Sequence, residues 1–215
     1  MNSCALCGQK TTAFYDHHLD QTAWRCQACH AVFKDPKVYL SNALEKARYD
    51  THNNTIDNEG YVQYLTTFID QTVWPFIQKG SALDYGCGPG PVLGTLLKKR
   101  GFDVSNYDPF YAPNEALLKK QYDLITITEV LEHVFDPNKV FKTLTQALKP
   151  EGILAVMTSF VPVSNDDYLT WWYKRDATHV VFYHFKSFEA IAKRFGFIIL
   201  TTDHQKNITL KKVTP

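Results

Sequence analysis

Excess charge of either sign is missing from this chain: 23 Lys and Arg stand against 22 Asp and Glu in 215 residues, a net charge of +1. A protein that coats nucleic acid with its whole surface needs a strongly positive balance, so that class gains no support. No uninterrupted apolar run approaches the roughly 18 residues of a membrane-spanning helix. The first ten residues, MNSCALCGQK, lack the apolar stretch of a secretory signal. The cytosol is therefore the expected compartment, where cysteines stay reduced and are metal ligands more often than disulfides. Internal repeats and low-complexity tracts are also missing. A composition of 45% hydrophobic and 21% charged residues is ordinary for a globular protein. It excludes disordered, collagen-like and coiled-coil architectures.

What is present begins with cysteine. Four of the five are grouped as Cys4-x2-Cys7, then 18 residues, then Cys26-x2-Cys29. Each Cys-x-x-Cys turn points two thiolates at one spot, and a hairpin between the turns brings the two pairs into a tetrahedron. Gly8 follows the first pair, where such a turn often needs a positive φ. The expectation is a structural zinc on Cys4, Cys7, Cys26 and Cys29. Four thiolates fill the shell, which leaves neighbouring His30 out and gives the ion no open position for catalysis. A redox dithiol is the alternative, but it needs only one pair. His17 and His18 are expected in an exposed loop.

The knuckle takes residues 1–35 and closes at Asp35-Pro36. Residues 36–80 form a helical linker or cap, with Tyr61, Tyr64, Leu65, Phe68, Ile69 and Val73 making one apolar stripe that ends at Pro75 and Gly80. Residues 81–215 alternate strand and helix. Strands are expected at SALDYGC, Phe102 to Tyr107, Tyr122 to Thr128, Ile153 to Thr158 and Phe197 to Thr202, with Asn207 to Val213 as an edge strand. Helices are expected from Val92 to Arg100, Pro137 to Leu148 and Lys186 to Phe195. Strand–helix repetition with short connections predicts an α/β fold with a doubly wound, mostly parallel sheet covered on both faces.

LDYGCGPG places Gly86, Gly88 and Gly90 after a strand and before a helix, where the backbone can approach a ligand closely. Asp108 ends the next strand, 18 residues beyond Gly90, where a carboxylate can accept both hydroxyls of a ribose. The G-x-G-x-G spacing is one residue shorter than the dinucleotide fingerprint, and Asp84 just ahead of it would repel a pyrophosphate. An acid there suits S-adenosylmethionine (SAM), which carries a sulfonium and an ammonium and no phosphate. On LDYGCGPG, Asp108, YDLITITEVLEHV and LKPEGIL, residues 60 to 213 resemble the class I SAM-dependent methyltransferases, with a Rossmann-like sheet. The resemblance implies that Asp84, Tyr85, Gly86, Gly88, Gly90 and Asp108 bind SAM and that Glu129 borders cofactor and acceptor. It also implies S-adenosylhomocysteine (SAH) as product. The usual third strand of that fold is not found in residues 109–121. Cys87, within the loop, reads as a small packing residue.

The chemistry implied is in-line attack of an acceptor on the SAM methyl, driven mainly by positioning. The Asn/Asp-Pro-Pro-aromatic motif of base N-methyltransferases is missing; Thr128-Glu129-Val130-Leu131 stands in its place. Beyond Cys87 no cysteine remains as a nucleophile for pyrimidine C5 methylation. Hydroxyl, amine and activated-carbon acceptors stay open. Glu129, Glu132 and His133 would share a face of a helical turn. A similar cluster in quinone-pathway and small-RNA O-methyltransferases binds magnesium, although LEHV also occurs in family members without metal. Segment 160–188 holds Tyr168, Trp171, Trp172, Tyr173, Phe182, Tyr183 and Phe185 with His179 and His184, and is the best candidate for the acceptor wall, with more than half of its aromatics expected simply to cover the sheet and pack. His179 is the expected base, with His133 and His184 as further candidates. Tyr49 and His52 are read equally as residues that close over the cofactor or as caps within the helical segment. The last 30 residues carry six basic and two acidic residues, read as a solvated patch. The knuckle pairs Lys10, Arg25 and Lys34 with Asp16, Asp20 and Asp35, a neutral surface that weakens an RNA grip. The leading expectation is a monomeric or homodimeric methyltransferase acting on a small-molecule or sugar-like acceptor, with no membrane partner. An rRNA or tRNA methyltransferase and a non-catalytic SAM- or partner-binding module are the alternatives.

Overall fold

The computed structural model describes residues 2–51 and 54–213, so His52 lies outside the described residues. The chain opens with three short antiparallel strands, β1 (Thr11–Asp16), β2 (Gln21–Cys26) and β3 (Val32–Lys34). Far along the sequence, β8 (Val181–Phe182) pairs antiparallel with β3 and completes a four-stranded sheet in the order β1-β2-β3-β8. The cysteine module therefore shares a sheet with the rest of the chain.

The main sheet holds β4 (Gly80–Tyr85), β5 (Phe102–Tyr107), β6 (Tyr122–Thr128), β7 (Leu148–Met157), β9 (Phe197–Thr202) and β10 (Asn207–Lys212), in the order β5-β4-β6-β7-β10-β9. β5, β4, β6 and β7 run parallel, and β10 is antiparallel to both of its neighbours. The expected α/β fold with a mostly parallel sheet is thus the observed one. Alternation along the strands feeds two cores. Leu124, Ile153 and Ala155 face Leu65 and Phe68 of α2 (Glu59–Phe68) and Leu93, Leu96 and Leu97 of α3 (Val92–Lys99). Ile125, Leu154 and Val156 face Phe141 and Leu144 of α4 (Pro137–Ala147) and Phe188 and Ile191 of α6 (Phe185–Phe195). α1 (Asn42–Tyr49) lies ahead of α2, and α5 (Asn165–Thr170) follows β7.

Local chemistry fixes the helix ends. The Asp136 side chain accepts the Lys139 N–H with Pro137 in the first turn, and Gly196 at φ 74 closes α6. α2 runs on through a π turn, Ile69–Val73, before Pro75. The Thr72 carbonyl in that turn accepts the Thr209 hydroxyl from β10 at 2.8 Å.

Two expectations need correction. Asn207 to Val213 is not an edge strand: β10 sits inside the sheet between β7 and β9, and Asn207, Ile208, Thr209 and Leu210 are buried. Its alternating Thr and Lys misled because Thr209 turns its hydroxyl to a buried carbonyl rather than to water. The strand expected from Ile153, β7, also begins earlier. It starts at Leu148 and passes through a kink at Glu151, which has φ 62. Residues 109–121 hold no strand, only a 3-10 turn over Glu115–Lys119, in line with the missing third strand.

Candidate functional site

At the carboxyl ends of β4, β5 and β6 the described residues enclose a cavity of about 580 Å³. Its floor is the loop between β4 and α3. Gly86 (φ 80) and Gly88 (φ 63) adopt conformations that favour glycine, and a Cβ on Gly86 would lie 2.3 Å from Val130 Cγ2. The Tyr107 carbonyl accepts the N–H groups of Gly86 (2.7 Å) and Cys87 (3.1 Å), which ties the loop to β5. Asp108 stands at the end of that strand. Its Oδ1 accepts the N–H groups of Phe110 (2.8 Å) and Tyr111 (3.0 Å), and its Oδ2 accepts that of Gly88 (3.0 Å). Three main-chain donors orient one carboxylate toward the glycine loop. Asp84 is only 2% exposed. Its Oδ1 accepts the Thr126 hydroxyl at 3.1 Å, and burial pushes its pKa up to about 7.

The opposite wall is built from Glu129, Glu132, His133 and His179, with Glu45 and Tyr49 of α1 above them. Glu129 adopts φ 52, which turns its side chain inward, and burial followed by the neighbouring Glu132 pushes its pKa up to about 7. Glu129 Oε1 accepts the Tyr64 hydroxyl and its Oε2 the Tyr173 hydroxyl, both at 2.8 Å. The Tyr173 oxygen also lies 2.5 Å from Glu132 Oε1. A phenol has one proton to donate. When it donates to one glutamate, the other bonds to it only by carrying a proton itself. Burial also raises the Glu132 pKa, so the phenolic proton together with one proton on a glutamate accounts for both contacts of the Tyr173 hydroxyl. Thr158 satisfies the second Glu132 oxygen at 2.7 Å.

The two imidazoles have fixed tautomers. His133 Nδ1 lies 3.1 Å from the Thr178 carbonyl, and His179 Nδ1 lies 2.8 Å from the Tyr173 carbonyl. A carbonyl only accepts, so each Nδ1 carries the hydrogen and each Nε2 keeps a lone pair. Burial lowers both pKa values; His179, with His133 beside it as the next cause, falls to about 3. Burial thus favours the neutral form of both rings.

Glu129, Glu132 and His133 do not lie on one helical face as expected. Leu131–His133 is a 3-10 turn, and both Glu129 oxygens are taken by tyrosine hydroxyls. Instead, potential ligand atoms of Glu132, His133 and His179 come within 4.8 Å of one another, although the Glu132 oxygens also accept from the Tyr173 and Thr158 hydroxyls, which an ion would have to displace or share. Two Nε2 lone pairs and a carboxylate, with each histidine's other nitrogen donating to a carbonyl, make a donor set of the kind that holds a divalent cation.

The four N-terminal cysteines also converge. Cys4 and Cys29 sulfurs are 3.6 Å apart and those of Cys7 and Cys26 3.4 Å. None is in a disulfide. A tetrahedron of zinc–sulfur bonds has sulfur–sulfur edges of about 3.8 Å, so these separations fit a metal rather than a bridge. Crowding splits the thiols: the hydrogen bond with Cys29 pushes Cys4 down and pushes Cys29 itself up, while burial raises Cys7. His17 and His18 are exposed in the β1–β2 turn.

Most of the aromatic segment packs, as expected, and does not line the cavity. Tyr168, Tyr173 and Phe182 join Ala23, Val32 and Val161 in a buried cluster against the N-terminal sheet, and Trp172 is exposed. From residues 160–188 only His179 lines the cavity, while the Tyr173 hydroxyl reaches its two glutamates. His184 lies elsewhere: it caps α6, with Nδ1 accepting the Lys186 N–H at 3.1 Å. Sequence reasoning missed Glu45, whose Oε1 accepts the Tyr49 hydroxyl at 2.5 Å, and the hydroxyl role of Tyr64. No pattern in the sequence marks Glu45. It is the one buried residue of α1, whereas Leu44 beside it is exposed.

The family described as "Methyltransferase domain" matches residues 58–202. A ubiquinone biosynthesis O-methyltransferase from Histophilus somni is 31% identical over 104 residues, covering 35% of this chain and 43% of that protein. One from Salmonella paratyphi A is 33% identical over 72 residues, covering 34% of this chain and 30% of that protein. The match thus spans less than half the length of these curated relatives. Among solved structures, the 1,6-didemethyltoxoflavin-N1-methyltransferase of Burkholderia thailandensis, with its substrate and SAH bound, superposes with a TM-score of 0.58 at 12% identity, covering 94% of this chain and 99% of that one. The magnesium protoporphyrin IX methyltransferase of Synechocystis PCC 6803, with bound SAH, gives 0.54 at 15% identity, covering 80% and 95%. At these identities the structures speak to the fold, and the family match speaks to the rest: the chain belongs to the class I SAM-dependent methyltransferases.

Proposed function

We propose that the protein moves the SAM methyl group to a hydroxyl of a small-molecule acceptor, with His179 as the base. The observation that carries this reading is the His179 ring. It is 8% exposed, its Nδ1–H is held by a carbonyl, and its Nε2 lone pair belongs to a wall of the cavity that the glycine loop floors. The O-methyltransferase names of the curated relatives agree with a hydroxyl acceptor.

The residues present suit SAM. The described lining residues include the carboxylates Glu45, Asp84, Asp108, Glu129 and Glu132 and no Lys or Arg. Such a wall favours a sulfonium and an ammonium and repels phosphate, which weighs against an RNA backbone entering the cavity. Asp108 would accept the ribose hydroxyls. Tyr85, Gly86, Gly88 and Gly90 let the cofactor lie close to the backbone, and Asp84 and Glu129 face its positive end. SAM supplies an electrophilic methyl. The chain's own part is to hold the acceptor oxygen in line with that methyl and to take its proton on His179 Nε2. Glu129 and Glu132 lie on the same wall and oppose the positive charge that the proton brings. Cys4, Cys7, Cys26 and Cys29 would hold a structural zinc with a closed shell, and reduced cysteines suit a cytosolic setting.

The test is a methyl-transfer screen with labelled SAM over fractionated metabolites and RNA, repeated with His179→Phe. A small-molecule fraction should take label. Loss of a general base should lower the rate by about 10²–10⁴-fold, while SAH affinity stays within twofold of wild type. Label confined to RNA, or an unchanged rate in His179→Phe, would refute the reading.

A second reading follows from the convergence of Glu132, His133 and His179 within 4.8 Å. These three would hold a divalent cation, which when bound lowers the pKa of an oxygen coordinated to it. Transfer abolished by a chelator and restored by magnesium or manganese would favour it over His179 as the base.

A further inference from the structure

We propose that Asp16 and Lys34 of the cysteine module are positioning residues for the acceptor wall, so that this module acts as a clamp on the residues around Tyr173 and His179. The inference rests on the proposed role of His179.

Residues 173–179 carry four of the contacts that organise the wall. The Tyr173 hydroxyl bonds Glu129 and Glu132. The Tyr173 carbonyl fixes the tautomer of His179, and the Thr178 carbonyl fixes that of His133. Apart from a 3-10 turn at Trp172–Arg175, this stretch has no regular structure to hold it. Both of its ends are tied to the module instead. Lys174, next to Tyr173, donates to the Asp16 carboxylate at the end of β1, and both side chains are 0% exposed. Lys34 Nζ, from β3, donates to the Asp176 carbonyl at 2.9 Å, and the Lys34 N–H bonds the Val180 carbonyl at 2.9 Å. The Val180 N–H in turn donates to the Glu132 carbonyl at 2.7 Å. The tie therefore runs from the module, through 173–180, to the glutamate of the wall.

Stability alone is a poor reason for the buried Asp16–Lys174 pair. Desolvating two charges offsets most of their attraction, and a well-packed apolar pair often stabilises as much. What the pair supplies is register. It fixes which way Lys174 points, and so keeps the adjacent Tyr173 side chain directed at Glu129 and Glu132. Lys34 works on the same stretch from the other end. Its ammonium has Asp176, Lys174 and Asp16 as its charged neighbours, and the Phe182 ring 5.6 Å away.

The experiment uses the zinc-loaded full chain with ¹⁵N-labelled histidine. Long-range ¹H–¹⁵N correlation reads the tautomers of His133 and His179, His179→Gln assigns them, and SAH titration reads the cofactor side. Wild type should show Nδ1–H for both rings. Lys34→Met and Asp16→Asn should convert His179 to a mixture of tautomers while SAH affinity stays within twofold. Methyl transfer to the accepting fraction should fall at least tenfold, and Lys34→Arg, which keeps a donor, should recover most of both signals. Lys34→Met removes the hydrogen bond to the Asp176 carbonyl and one charge but leaves the Asp16–Lys174 pair intact, so it carries the test if Asp16→Asn does not fold. A His179 locked in the Nδ1–H form in the folded variants overturns the clamp, as does an equal loss of SAH affinity. Altered tautomers with undiminished methyl transfer would uphold the clamp and remove His179 as the base.

Discussion

At the scale of single residues, the wall is a problem of proton accounting. Burial pushes Asp84 and Glu129 up to about 7, and a cationic cofactor favours both as carboxylates. SAM affinity should therefore weaken as pH falls through about 7, because both groups take up protons there. The Tyr173 hydroxyl holds the Glu129 pKa down by hydrogen bonding to its charged form. Tyr173→Phe keeps the ring in its buried cluster and removes that bond, so the Glu129 pKa must rise further. The midpoint of SAM binding against pH, followed by calorimetry, is expected to move upward by up to a unit. The stability cost should be about 1–3 kcal/mol for buried groups that lose a partner. An unmoved midpoint would mean that Glu129 does not face the bound cofactor. The glycines, Asp84 and Asp108 were legible in the sequence because they fall within one strand–loop–helix–strand stretch whose geometry is local. Tyr173 was legible as an aromatic and not as a hydroxyl, since the glutamates it joins are separated from it by 44 and 41 positions.

At the scale of elements, the loop between β4 and α3 does most to shape the proposed cofactor end of the cavity. Gly86 illustrates why pattern and space agree there. Its φ of 80 is strained for any side chain, and a Cβ would meet Val130 at 2.3 Å, on the turn that leads into Glu132 and His133. Gly86→Ala is expected to push that turn away and to reduce SAM affinity by an order of magnitude or more, with a smaller loss of stability. Gly101→Ala makes a useful contrast: its φ is also positive, at 93, yet nothing lies within 4 Å of the added carbon. It should cost stability alone. Equal SAM affinities in the two variants would count against the loop as the cofactor seat. Most strands and helices were readable because apolar period and glycine or proline stops coincide. The position of β10 was not, because strand order depends on which neighbours pair, and a Thr–Lys alternation reads the same at an edge and inside a sheet. The two-residue β8 was equally hidden; its partner β3 lies some 150 positions earlier, beyond any local pattern.

At the scale of the molecule, the question is whether the cysteine module unfolds by itself. Sequence spacing marks residues 1–35 as a unit, because metal-ligand spacing is local. The packing joins it to the rest. Cys4, Leu6, Cys26, Cys29 and Phe33 lie in the same buried cluster as Leu83, Ile125 and Phe141 of the main domain. Further ties cross the join: the Ser187 hydroxyl donates to the Cys29 carbonyl at 2.9 Å, and Arg25 donates to the Pro162 carbonyl at 2.7 Å and to Asn165 at 2.7 Å. A continuous core with buried polar ties should melt as one cooperative unit. Removing the proposed zinc with a chelator, or with Cys26→Ser, should then lower a single calorimetric transition by more than about 10 °C, since structural zinc stabilises small modules by many kcal/mol. Saturating SAH should raise that same transition, because a ligand that binds only the folded state stabilises everything that folds with it. Two transitions, with the chelator moving only one and SAH only the other, would instead describe two independent bodies. The tie from Asp16 and Lys34 to the acceptor wall would then have nothing rigid behind it.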